Sequence, residues 1–156
     1  MIRLNSYIGS LPPQTVASNG TNGFLVVDTR PTTGERYEAI QFVSIVGPGA
    51  ATTAPTTWAL SESADTNATS YSTVSGFVGG TNAAGGFTIA SIATSAGSGA
   101  TAVFNVNLRN TRKRYLKVSI VPGTTAQVTI VAIASQPSKN IAPNTTGSGG
   151  TYNLYG

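Results

Sequence analysis

Between Arg112 and Gln136 the chain runs RKRYLKVSIVPGTTAQVTIVAIASQ, and apolar residues recur there at every second position. Leu116, Val118 and Ile120 share one parity, with Tyr115, Lys117 and Ser119 between them. Ala126, Val128, Ile130 and Ala132 repeat the pattern, with Gln127 and Thr129 between. A period of two marks strands with one face buried. Pro122 and Gly123 interrupt the pattern where the chain must turn, since proline fixes φ and glycine accepts φ > 0. The segment is expected to form an antiparallel hairpin. Both apolar sets carry even numbers, so facing residues must sum to an even number. The expected pairs are Leu116–Ile130, Val118–Val128 and Ile120–Ala126. A slip of one residue would turn one apolar set towards water. The rest of the chain is expected to build a second sheet against this hairpin, with a dry layer between.

Other segments repeat the strand signal. Phe24 to Val27 is a short apolar run. Arg36 to Val46 carries Ile40, Phe42 and Val46 on one face and Ala39, Val43 and Ile45 on the other. Apolar residues on both faces predict a central strand whose outer face is also covered. Thr57 to Glu62 places Trp58 and Leu60 inward. Tyr71 to Val78, Phe87 to Ile92 and Thr101 to Leu108 follow, the last with Phe104, Val106 and Leu108 in phase. Glycine- and alanine-rich loops separate them. No segment makes a credible helix, and no fixed-period repeat suggests a solenoid or propeller. The fold class expected is all-β: an antiparallel two-sheet β-sandwich or jelly roll with extended N- and C-terminal arms. Residues 1–20, broken by Pro12-Pro13, are expected as an N-terminal arm, 21–137 as the sandwich and 138–156 as a flexible C-terminal arm. Within the last, NTTGSGG (144–150) has a linker composition and precedes Tyr152, Leu154 and Tyr155.

With 156 residues, one domain burying about 70% of its unfolded surface suffices for a single core. Charged residues make up only 9%, against about 25% in ordinary domains. Hydroxyl and amide side chains supply the polarity instead, as in strand-rich structural and adhesive proteins. The chain has no cysteine and no histidine. That removes disulfides, thiolate nucleophiles, Cys/His zinc sites and histidine base catalysis. No apolar run approaches the roughly 20 residues of a spanning helix, so no membrane partner is expected. The N-terminal MIRLNSYIGSLPP does not resemble a secretory signal. The three Asn-x-Thr triplets, at Asn19, Asn67 and Asn144, carry little weight in so threonine-rich a chain.

The candidate chemistry is sparse. Glu62 and Asp65 are the nearest approach to a glycosidase carboxylate pair, but they sit at a strand end and in a polar turn. The oxygen-rich run Ser61 to Asn67 could hold calcium but lacks the spaced carboxylates of a known loop. Gly47/Gly49 and Gly97/Gly99 neither open a helix nor precede a lysine, so neither cradles phosphate. No cofactor or metal is implied. The net charge of +4 is unevenly placed: Arg109, Arg112, Lys113, Arg114 and Lys117 are five of the nine basic residues. They suit a protein contact or a solvated flank guarding an apolar run. Nucleic acid is disfavoured as the partner because neither a helix nor an aromatic ladder accompanies them.

Three pieces of the chain, in one order, resemble small β-rich virion proteins of tailed bacteriophages. They are YEAIQFVSIVG (Tyr37 to Gly47), TWALSESADTNATSYSTVSG (Thr57 to Gly76) and KRYLKVSIVPGTTAQVTIVAIASQP (Lys113 to Pro137). The resemblance spans about two-thirds of the chain. It implies a non-enzymatic structural protein of the virion, a capsid decoration (cement) or minor capsid protein. Its partners would be the major capsid protein and further copies of itself, often as a trimer at lattice three-folds. The long Gly/Ala loops and the Tyr-rich tail depart from the family pattern. Arg109, Arg112, Lys113, Arg114, Tyr152, Leu154 and Tyr155 are the expected partner contacts. A carbohydrate-binding spike or fibre module, or a tail or connector component, is the alternative.

Overall fold

The computed structural model describes residues 6–17, 22–30, 37–48, 55–67, 69–79, 99–108, 112–135 and 151–155. The strand expected at Phe87 to Ile92 lies outside them. The strands are β1 (Ser6–Val16), β2 (Gly23–Asp28), β3 (Ala39–Val46), β4 (Thr57–Ser63), β5 (Ser72–Gly79), β6 (Ala100–Asn107), β7 (Tyr115–Val121), β8 (Ala126–Ser135) and β9 (Thr151–Tyr155). One sheet has the order β1-β8-β3-β6-β9, the other β2-β7-β4-β5. All pairings are antiparallel except that of β9, which joins the β6 edge in parallel. The protein is therefore an all-β, two-sheet antiparallel sandwich of four plus four strands, with β9 added at one edge.

The period-two pattern fills the layer between the sheets. Ile40, Phe42 and Val46 of β3, Ala102, Phe104 and Val106 of β6, and Val128, Ile130 and Ala132 of β8 are all inaccessible. Across from them lie Trp58 and Leu60 of β4 and Leu116, Val118 and Ile120 of β7, also inaccessible. Burial of each large apolar side chain stabilises the fold by about 1.5–3 kcal/mol. Phe77 of β5 closes one side, its ring 5.9 Å from that of Phe104. It gets there through an irregularity. Between the pairs Ala59–Val78 and Ser61–Thr73, β5 has more residues than β4, and Gly76 adopts φ +85° within the excess. Glycine accepts that backbone without strain, and the bulge drops both Val74 and Phe77 into the core.

The expected hairpin at 116–130 is not formed. Its six apolar residues are buried as expected, but β7 and β8 belong to different sheets. The connection is an arch that carries the chain from one sheet to the other. Leu116, Val118 and Ile120 thus lie in the opposite sheet from Ala126, Val128 and Ile130, rather than beside them in one ladder. Both edges of β7 are used, by β2 and β4, and both edges of β8, by β1 and β3. The carbonyls flanking the arch find donors elsewhere: Thr56 N–H donates to Val121 O (2.9 Å) and Gly47 N–H to Gln127 O (2.8 Å).

The N-terminal segment also differs from a free arm over residues 6–16, which form the edge strand β1 on β8. Val16 is in the core, and Ile8 and Leu11 pack against it. Pro12-Pro13 falls at a register shift between the pairs Leu11–Ile130 and Gln14–Val128. There the missing amide donors do not interrupt a central ladder. The Thr129 hydroxyl donates to Leu11 O (2.9 Å) across the break. Of the C-terminal segment, residues 151–155 are β9, and 138–150 lie outside the described residues.

One polar contact crosses the core. Ser44 is completely buried on the inner face of β3. Its Oγ accepts a hydrogen bond from Trp58 Nε1 (2.8 Å) on the opposite sheet and donates to Ala102 O (2.9 Å) on β6. Ser44→Ala strands a buried indole N–H, which should cost about 1–3 kcal/mol. In a Trp58→Phe background, where the donor is gone, the same change should cost clearly less. Urea denaturation of the four proteins measures this, and additive losses would show that the contact contributes nothing.

Candidate functional site

The described charged side chains gather mainly at one end of the sandwich, where β2, β4 and β6 finish and β3, β5 and β7 begin. The best-formed pair is Asp28 with Arg114. Arg114 Nη2 donates to Asp28 Oδ2 at 2.7 Å, and Nε lies 3.0 Å from Oδ1 and 3.2 Å from Oδ2. The pair ties the last residue of β2 to the residue preceding β7. Thr29 reinforces it, because both its N–H (2.9 Å) and its hydroxyl (2.8 Å) donate to Arg114 O. The Arg114 guanidinium also stands 5.1 Å from the Tyr115 ring centroid.

The Arg114 hydrogen bond holds the Asp28 carboxyl below its ordinary value, against an opposing push from burial and with help from the Arg30 N–H. The same bond raises Arg114. Asp65 is also lowered, chiefly by its hydrogen bond from Ser70 and then by the Asn67 N–H. Tyr71 is raised by burial. Its ring lies 4.3 Å from Lys117 Nζ, and its buried hydroxyl has no hydrogen-bond partner among the described residues.

The basic residues singled out in the sequence have separate fates. Arg109 lies outside the described residues. Arg112 turns inward: its side chain keeps 19% exposure, and Nη1 is 3.9 Å from Glu62 Oε2. Lys113 is exposed. Its N–H donates to Glu62 Oε2 (3.3 Å) and its Nζ to Ser72 Oγ (3.2 Å). Arg114 is committed to Asp28. Arg112, Lys113 and Arg114 thus each have a polar or acidic partner within the fold. Tyr152, Leu154 and Tyr155 fall within β9, in register with Ala102, Phe104 and Asn105 of β6.

The carboxylates considered for catalysis or calcium are engaged within the fold. Glu62 meets Arg112 and Lys113. Asp65 accepts from Asn67 and Ser70 in a local turn that also includes Ser63. Among the described residues no three His, Cys, Asp or Glu side chains come together to hold a metal.

Sequence reasoning missed the pocket at this end. It has a volume of about 220 Å³ and is lined by Thr29, Arg30, Tyr37, Leu108 and Arg112. These residues come from just after β2, just before β3, just after β6 and just before β7, so only the folded topology gathers them.

Comparison with protein-family models, with curated proteins and with solved structures gives no significant match. The geometry itself defines the class of protein, an antiparallel β-sandwich.

The Asp28–Arg114 pair generates a pH prediction. A carboxyl depressed in the folded state adds stability that is present above its unfolded pKa, about 3.9, and lost as pH falls through the lower folded value. The stability difference between the unmodified protein and Arg114→Gln should be full near pH 6–7 and shrink below about pH 4. Asp65 is common to both proteins and cancels. Urea denaturation from pH 7 to pH 2.5 reads the difference. A gap that does not change with pH would contradict the assignment.

Proposed function

We propose that this chain is a non-enzymatic structural protein of a virion, a capsid decoration (cement) or minor capsid protein that binds the major capsid lattice and acts as a homo-oligomer, a trimer. The resemblance of the segments around Tyr37–Gly47, Thr57–Gly76 and Lys113–Pro137 to small phage head proteins suggests the role. The observation that carries it is the outer face of the five-stranded sheet.

On β1, β8, β3 and β6 the outward positions are Tyr7, Ser10 and Thr15; Gln127, Thr129, Val131 and Ile133; Ala39, Gln41, Val43 and Ile45; and Thr101, Val103, Asn105 and Asn107. None is charged. Val43 stands in register with Val131 on one side and Val103 on the other. Tyr7 is 64% and Ile45 40% exposed. A sheet face with an apolar middle, amide and hydroxyl surroundings and no charge suits contact with another protein, because little desolvation opposes docking. A standard interface of about 1,600 Å² is enough for firm attachment. The C-terminal segment adds a strand to the same sheet, at its β6 edge.

A carbohydrate-binding module would need an exposed aromatic platform. Trp58 is buried, with its N–H spent on Ser44, so the single tryptophan cannot serve. A tail or connector location remains the structural alternative within the same particle.

The test is co-sedimentation with shells assembled from the major capsid protein of the same genome. The intact chain should saturate a defined set of lattice sites. Ile45→Glu, at an exposed position, should reduce occupancy at least tenfold while leaving the thermal unfolding transition in place. Removal of residues 144–156 should also weaken attachment. Failure of the intact chain to bind shells would overturn the proposal, and equal occupancy by all three proteins would remove the sheet face and tail from it.

A further inference from the structure

The pocket at the charged end contains a cation whose hydrogen-bonding needs the described residues leave unmet. Arg112 is about four-fifths buried, yet its guanidinium makes no hydrogen bond to the described residues. Its one ionic contact, Nη1 to Glu62 Oε2 at 3.9 Å, is beyond hydrogen-bond range. Its Nε is fully buried and has no hydrogen-bond partner among the described residues. An unsatisfied buried donor on a charged group is costly, and native structures resolve such cases with water or an ion.

The surroundings favour an anion over water alone. Arg30 lines the same pocket, and no described residue accepts a hydrogen bond from its guanidinium. The nearest carboxylate in sequence, Asp28, is already held by the Arg114 fork. Tyr37 adds a phenol and Leu108 an apolar wall. Glu62 does not fill the role, since its Oε2 takes the Lys113 N–H. The volume of about 220 Å³ is far above the ~15 Å³ that one water needs, which is ample for one small oxyanion. A guanidinium offers paired N–H groups that match the two oxygens of a carboxylate or phosphate.

We propose that the pocket formed by Thr29, Arg30, Tyr37, Leu108 and Arg112 is a binding site for a single small oxyanion, held between the guanidinium groups of Arg30 and Arg112. The oxyanion is a carboxylate or a phosphate. A carboxylate would come from an acidic side chain of a protein partner, a phosphate from solution. The site stands or falls independently of attachment to a capsid, because the isolated protein suffices to test it.

The experiment is a titration of the ¹⁵N-labelled full chain with sodium glutarate, sodium phosphate or sodium chloride at constant ionic strength, followed by amide chemical shifts. Saturable shifts are expected at Thr29, Arg30, Tyr37, Leu108 and Arg112 with glutarate or phosphate, and none with chloride. Arg30→Gln should weaken binding at least tenfold, and Arg112→Gln should abolish it. Arg30 is exposed, so its replacement keeps the test readable even if Arg112→Gln does not fold. Saturation by glutarate alone assigns the site to acidic side chains, and saturation by phosphate assigns it to the free ion as well. Absence of saturable shifts with either oxyanion, or an affinity untouched by Arg30→Gln, would overturn the proposal.

Discussion

The sandwich is organised around an indole that has to find an acceptor in a dry layer. Trp58 contributes the largest fully buried side chain, and its N–H cannot be left unpaired there without losing the benefit of burial. Ser44 is the answer, and it stands in a row of apolar residues, between Phe42 and Val46 on the inner face of β3. Because the hydroxyl also donates to Ala102 O, its own polarity is satisfied in turn. The chain Trp58–Ser44–Ala102 links β4 to β3 and β6, so it fixes one sheet against the other. A slide of two residues along β3 would face the indole N–H with Phe42 or Val46, neither of which has a side-chain acceptor. Hydrophobic packing alone would resist such a slide only weakly, since one apolar side chain substitutes readily for another.

A second constraint acts at the end of the sandwich. Sheet faces dominated by hydroxyls, amides and valines leave the few described charges to collect mainly where strands begin and finish. Asp28 and Arg114 meet there across 86 positions and clamp β2 to the start of β7. Among the described residues Glu62 is shared between Arg112 and the Lys113 amide. Arg30 and Arg112 come together beside the pocket because of where the strands end.

Much of this was legible in the alternation of side chains. Parity predicted the inward residues of β4, β7 and β8, with Trp58 as core, and sorted those of β3 and β6 into two faces, because burial on one face leaves a period of two. Parity could not decide whether β7 and β8 are neighbours or opposites. A hairpin puts both even-numbered sets on one side of a sheet, and an arch brings the same sets together from two sheets, so the sequence pattern is identical. The deciding factor is the competition of β2, β4, β1 and β3 for the strand edges, which is not local. The same limit applies to the pocket. Arg112 stood out through its charged neighbours, but Thr29, Tyr37 and Leu108 carry no mark of their own before the loops converge.

The strand edges bear on how such a molecule can associate. Long flat edges invite pairing with other chains. Here β1 is interrupted by two register shifts and by Pro12-Pro13, which lack amide donors. The bulge around Gly76 breaks the regularity of β5. The edge of β6 is already taken by β9. Among the described strands, β2, six residues long, and β9, five residues long, keep regular ladder edges, and Asp28 at the end of β2 is tied to Arg114. Edge-to-edge growth is therefore disfavoured at β1 and β5. The outward residues of β1, β8, β3 and β6 place valines at the centre of the five-stranded sheet and carry no charge, so that face has little to desolvate.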